Sequence, residues 1–237
     1  ATYPYNTLIE GMNAANDGDT IQLASGGYPI GLFNFDKPVT IVGPEDGSAI
    51  LYSTSLNATD LVWGELANVT LSASMRNNID NSRNIVYRNC VIATLNGSVI
   101  SGDSKVSFIN CVHQHAGSKT AISIDSSSEL TVLNNTIAGF DQGIDNSGGT
   151  VTIRNSILAN SVDLLGIPDA SGISYTLISD GQFAGENGNI NADPLFMDAA
   201  NDDWHLQAGS PAVDAGDPLD DYADETLQNG CRINMGA

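Results

Sequence analysis

The stretch VTIRNSILAN, Val151 to Asn160, holds the pattern that decides the fold. Apolar residues alternate through Val151 and Ile153, Asn155 and Ser156 interrupt them, and an apolar run resumes at Ile157. The same order recurs in IVYRNCVI (Ile85 to Ile92), VSFINCVH (Val106 to His113) and LTVLNNTI (Leu130 to Ile137). Aligned on the Asn, the four copies give Asn89, Asn110, Asn134 and Asn155, spaced by 21, 24 and 21 residues. A self-similar period of this size marks a solenoid. Two positions before each Asn stand Tyr87, Phe108, Val132 and Ile153, and four positions before stand Ile85, Val106, Leu130 and Val151. Apolar residues at period two place one strand face in a core.

A second register follows in Val99, Ile122 and Ile144, spaced by 23 and 22 residues and each trailed by turn residues. Each repeat therefore holds at least two short strands. A coil of about 22 residues cannot close a core alone, but stacking coils about 4.8 Å apart lets each strand pair with its copies above and below. The architecture expected is all-β, a parallel β-helix. Asn89, Asn110, Asn134 and Asn155 are read as an inward structural ladder. Asn tolerates the left-handed backbone that bends a strand, and stacked amides hydrogen-bond to one another. Ile173, Tyr175 and Leu177 repeat the pattern once more with Leu in the Asn place, so the ladder is expected to stop there.

The ends of such a stack expose unpaired strand edges. TLIEGMNAAN offers a Thr7-x-x-Glu10 capping box with Leu8, Ile9, Met12 and Ala15 at helical spacing, which predicts a short amphipathic lid. TIQLA and PVTIVG (Pro38 to Gly43) read as the strands that follow. One domain over 1–237 is expected, with cap and first strand in 1–24, rungs in 25–180 and a C-terminal capping block in 181–237.

Eight Lys plus Arg stand against 28 Asp plus Glu, a formal charge of -20. Such a field repels nucleic-acid phosphates and anionic lipid and attracts cations, so no nucleic-acid partner is expected. No apolar run approaches the length of a membrane span and no signal segment opens the chain, so a soluble, processed protein without membrane insertion is expected. Cys90, Cys111 and Cys231 are too few for a disulfide framework and lack zinc-site spacing. Cys90 and Cys111 share one register position on adjacent rungs, which brings them within disulfide range. Asn57, Asn68, Asn96 and Asn134 form glycosylation triplets, which a chain rich in Asn, Ser and Thr generates by chance.

NAANDGDTIQLASGGYPI followed by KPVTIVG resembles the opening of right-handed parallel β-helices of the pectin-lyase-like superfamily. ISYTLISDG, then NADPLFMDAANDDWHLQAGSPAVDAGDP, then NGCRINMGA resembles the C-terminal part of the choice-of-anchor Q group of secreted bacterial β-helix proteins. The resemblance implies a right-handed coil and a secreted, extracellular or cell-surface location. Members of that group commonly continue past the Gly-Ala into an aromatic-acidic tail, whereas this chain stops at Met235-Gly236-Ala237, so an anchor is expected to be absent or removed. Cys231 stands where that pattern usually has a small polar residue.

Polysaccharide lyases on this fold neutralise a uronate with calcium or Arg and abstract a proton with Lys, Arg or His. The residues available for such work are Arg83, Arg88, Lys105, His113, His115, Lys119 and Arg154, of which Arg88, His113, His115 and Lys119 are the candidates. Arg88 and Arg154 should share an outward row that Ile109 and Leu133 interrupt. His113 and His115 form the densest titratable cluster, with Lys119 close in sequence, while the alignment of His113 with Ile92, Ile137 and Leu158 offers a core filler as the other reading. His205 is expected to be structural. Asp217, Asp220, Asp221 and Asp224 in DAGDPLDDYADE are the hard-cation candidates for calcium. The function expected is an extracellular scaffold that binds glycans or associates end to end with its own copies. A polysaccharide lyase or related carbohydrate-active enzyme is the alternative, which the acidic charge disfavours for polyuronates but not for neutral glycans.

Overall fold

The structure, a computed structural model, describes residues 5–72, 76–94, 97–114, 119–222 and 232–237. It is a parallel β-solenoid of about seven turns with one short N-terminal helix. Among the described residues the first wall is an eight-stranded parallel sheet running in chain order from Thr20–Gln22 through Ile85–Arg88 and Lys105–Ile109 to Ile173–Ser174. The second wall includes Val69–Leu71, Val91–Ile92, Val112–Gln114, Thr136–Ala138, Ile157–Ala159 and Leu177–Ile178. The third includes Asn77–Asp80, Ser98–Ser101, Thr120–Ile124, Gln142–Asn146 and Val162–Leu165. The long strands Gly26–Phe35 and Ala49–Thr59 bend through both of these walls without a break.

In-register pairing stacks like on like. Ile41, Leu66, Tyr87, Phe108, Val132, Ile153 and Ile173 form one buried column of the first wall. The Tyr87 and Phe108 rings stack with centroids 4.8 Å apart. Inside the same core the Tyr87 hydroxyl donates to Asn77 at 2.8 Å, and Asn77 donates to Ser98 at 3.1 Å. This chain satisfies polar groups that burial would otherwise penalise.

At the corner between the first and second walls, Asn68, Asn89, Asn110, Asn134 and Asn155 all have φ between 51° and 54°. They supply the left-handed bend that the repeat implied. Asn89 donates to Asn68 at 3.1 Å and Asn110 to Asn89 at 2.9 Å. Among the described residues these side-chain bonds stop at Asn110. This ladder is not inward: Asn89 and Asn110 are exposed, and Asn155 is buried by the C-terminal segment. The bend turns the Asn side chain out and the following residue in. Cys90, Cys111, Asn135, Ser156 and Thr176 form the buried row.

That inner row bonds to backbone. Cys111 N–H donates to Asn135 Oδ1 at 3.1 Å, and Asn135 N–H donates to Ser156 Oγ at 3.1 Å. Asn135 Nδ2 donates to Phe108 and Leu133 carbonyls, while Ser156 and Thr176 hydroxyls donate to the carbonyl two residues back. A serine row does similar work at another corner, where Leu61 N–H donates to Ser82 Oγ, Ser82 N–H to Ser104 Oγ and Ser104 N–H to Ser128 Oγ.

Two register readings move by a position or more. Ser98, not Val99, pairs with Ile122, so Val99 faces out. Ile153 pairs with Ile173, so Tyr175 and not Leu177 takes the Asn place, and Tyr175 keeps the bend with φ 46°.

Helix α1 (Leu8–Ala14) covers the first end. Its capping box is formed reciprocally by Thr7 and Glu10, and Leu8 and Met12 pack on the core. Ile9 turns outward and is 46% exposed, because its side of this short helix faces away from the first rung. Lys37 Nζ donates to the carbonyls of Met12, Asn13 and Ala15, satisfying groups that a helix end leaves open.

The other end is closed by the turn after the last strand. Tyr175 and Ile178 N–H groups donate to Asn187 and Ile190 carbonyls, Thr176 N–H donates to Asn189, and Phe183 packs against the core. Asp163 is buried there, accepting from Asn160, Ser179 and Asp180, and burial pushes its carboxyl above the usual carboxylate range. The segment beyond lies along the side of the solenoid. Ala212 and Met235 pack on Ile157 and Leu177, the outward residues of the second wall, and Trp204 donates to Gln114 at 3.3 Å.

Candidate functional site

Of the residues singled out for catalysis, the three that are described, Arg88, His113 and Lys119, do not meet. Arg88 lies on the outer face of the first wall with Nε 3.2 Å from Glu65 Oε1, both partly exposed. Its row reads Ala67, Arg88, Ile109, Leu133, Arg154, Ser174, so the interruption by Ile109 and Leu133 stands. His113 points into the core between Ile92 and Ile137, 1% exposed, with its ring edge-on to Phe108 at 4.7 Å. Neither ring nitrogen has a partner, and burial lowers its pKa to about 3. It is a neutral core side chain. Lys119 is exposed beside the third-wall strand Thr120–Ile124. His115 and Asp224 lie outside the described residues. So do Cys231 and the triplet at Asn96.

Among the described residues no three His, Cys, Asp or Glu gather to hold a metal. Asp217 and Asp220 face a cation of the protein itself. Arg154 Nη1 lies 3.9 Å from Asp217, and its Nε lies 3.2 Å from Asp220, a charge contact whose angle falls short of a hydrogen bond. Asp220 also accepts from Asn155 Nδ2 at 2.6 Å, and Asp217 N–H donates to Asn155 Oδ1 at 2.7 Å. The acidic loop thus straps itself to the last Asn of the corner row. His205 is exposed, with Nδ1 2.6 Å from Asp203, so it is not packed in the block as expected.

Beside this strap the outer face of the first wall holds a shallow groove of about 720 Å³. Thr131 and Thr152 face out side by side on consecutive rungs, Ser171 and Ser174 add hydroxyls, and Leu133 and Tyr175 supply apolar surface. Gly188 packs against the Tyr175 ring, where an added Cβ would lie 2.6 Å from Cδ1. Arg232 covers the ring at 5.6 Å from its centroid, a cation–π contact. The Tyr175 hydroxyl takes no protein partner among the described residues. Arg154 borders the groove with its charge already met by Asp217 and Asp220. A second, smaller recess on the third wall is lined by Asn34, Asp36, Asn57, Thr59 and Asp60, with Asn57 donating to Asn34 at 3.2 Å.

The repeat foretold the inward columns but not the groove. The usable signal is Thr131 and Thr152, which sit between inward residues and therefore had to face out. Tyr175 was hidden by an alignment two residues off.

These walls and corners define the class: a parallel β-helix. No protein-family model matches the chain, and no curated protein does. Among solved structures, the crystal structure of pectate lyase Pel9A is similar over 97% of this chain and 90% of that one, at 14% identity and a TM-score of 0.37. That likeness concerns the fold and transfers no residue.

Proposed function

We propose that this chain is an extracellular β-helix scaffold of the choice-of-anchor Q kind, and that the first-wall groove holds a neutral glycan. The groove is the observation behind this reading: a row of hydroxyls one rung apart, a fixed aromatic ring, and an Arg154 whose charge is already met by Asp217 and Asp220. Sugar hydroxyls find donors and acceptors in Thr131, Thr152, Ser171 and Ser174, and the apolar side of a sugar finds Leu133 and the edge of Tyr175. A net charge of -20 opposes a polyanionic chain. Head-to-tail assembly is no part of the reading, because the last turn already bonds to residues 187–190.

The test is a panel of neutral and uronate oligosaccharides, with and without calcium, scored for binding and for unsaturated product. Binding of a neutral glycan that is lost in Thr152→Arg supports the proposal. Unsaturated product, or no neutral ligand, overturns it.

A further inference from the structure

The inner corner row holds hydrogen-bonding side chains, and at two neighbouring rungs these are thiols. Cys90 and Cys111 are 1% and 0% exposed and free. Strand pairing is in register on both sides of them, with Arg88 opposite Ile109 and Val91 opposite Val112, and Val112 N–H donates to the Cys90 carbonyl at 3.0 Å. The Cα atoms are therefore one rung apart, about 4.8 Å, inside the span a disulfide bridges. Each sulfur leans back toward the rung before its own, Cys111 Sγ 3.5 Å from the Tyr87 carbonyl and Cys90 Sγ 3.4 Å from the Leu66 carbonyl, so closing the bond requires one side chain to rotate.

We propose that Cys90 and Cys111 are a reversible cross-rung thiol pair, a dithiol in this structure that a peroxide-class oxidant closes to a disulfide. One sulfur attacks the peroxide O–O bond, giving a sulfenic acid and one water. The second displaces the sulfenic oxygen, forming the S–S bond and releasing the second water. Two thiol hydrogens and two electrons leave the protein, and one peroxide is reduced.

In-register stacking holds the Cβ atoms about 1 Å wider than a relaxed disulfide has them, so the bond forms under strain and opens readily to a small thiol. Burial and the neighbouring Cys90 sulfur hold the Cys111 thiol protonated well above its ordinary range, so oxidation waits on local opening of the rung. Closed, the bond ties the fourth and fifth rungs together behind the Tyr87–Phe108 stack.

The experiment treats the folded full chain with hydrogen peroxide, blocks remaining thiols under denaturant and maps peptides without reduction. The expected result is loss of two thiols and a Cys90–Cys111 link, favoured over links to Cys231 by about a hundredfold or more through proximity in the fold, and reversed by dithiothreitol. Unfolding before oxidation should cut that preference to the roughly tenfold that the shorter loop alone gives. Cys90→Ser and Cys111→Ser suit a row that already contains Ser156, and each should fold without the link, while Cys231→Ser keeps it. Separate oxidation of the two sulfurs to sulfinic acids, unreacted thiols, or Cys231 as the dominant partner would overturn the proposal.

Discussion

Two rows of side chains run along one corner of the solenoid, a single residue apart, under opposite demands. Asn89 and Asn110 are exposed and matter for their backbone, whose left-handed φ makes the turn. Cys111, Asn135 and Ser156 are buried and matter for their side chains, which answer N–H and C=O groups that the turn withdraws from the strand ladder. Neighbouring polar residues in a repeat can thus have different reasons for being polar. Only the inner row incurs the full cost of an unmet buried group.

The strongest way to break this contrast is Asn135→Leu. It strips the partner from the buried Cys111 N–H and removes a donor to the Phe108 carbonyl, and should cost about 2–5 kcal/mol. Urea unfolding that leaves the midpoint unchanged would show that the inner row is dispensable.

A second perturbation uses acid. His113 has a folded pKa of about 3, below the ordinary imidazole value of 6.5, so the unfolded chain binds the extra proton between these values. Stability from this group is complete above pH 6.5 and is lost as pH falls toward 3. The loss at pH 5 is about 2 kcal/mol. His113→Ile, matching Ile92 and Ile137 in its column, should remove that part of the pH dependence and lower the acid unfolding midpoint. An unaltered profile would mean that His113 is not held neutral in the core.

The smallest effect belongs to the outer row. Asn110→Leu should cost about 1–2 kcal/mol, from the side chain's objection to a left-handed backbone. Asn110→Gly should recover most of it, although it too loses the bond to Asn89, and exposed Ser126→Ala should change stability by less than about 0.5 kcal/mol. If Asn110→Gly proves as damaging as Asn110→Leu in thermal melts, the amide ladder rather than the bend sets the stability of this row.

The repeat by itself determined the parallel β-helix, the columns through Tyr87, Phe108, Val132 and Ile153, and the adjacency of Cys90 to Cys111. These are readable because in-register stacking turns sequence spacing into spatial neighbourhood, rung by rung. Only the tertiary structure decided that the bend turns Asn89 and Asn110 outward and the next residue inward, since period-two alternation breaks at a left-handed residue. It also decided that Asp217 and Asp220 clasp Arg154 and Asn155, more than sixty residues earlier, and that Ala212 and Met235 cover the side of the second wall. Those contacts lie off the period, where spacing says nothing about distance, and the groove beside Tyr175 is formed where repeat and strap meet.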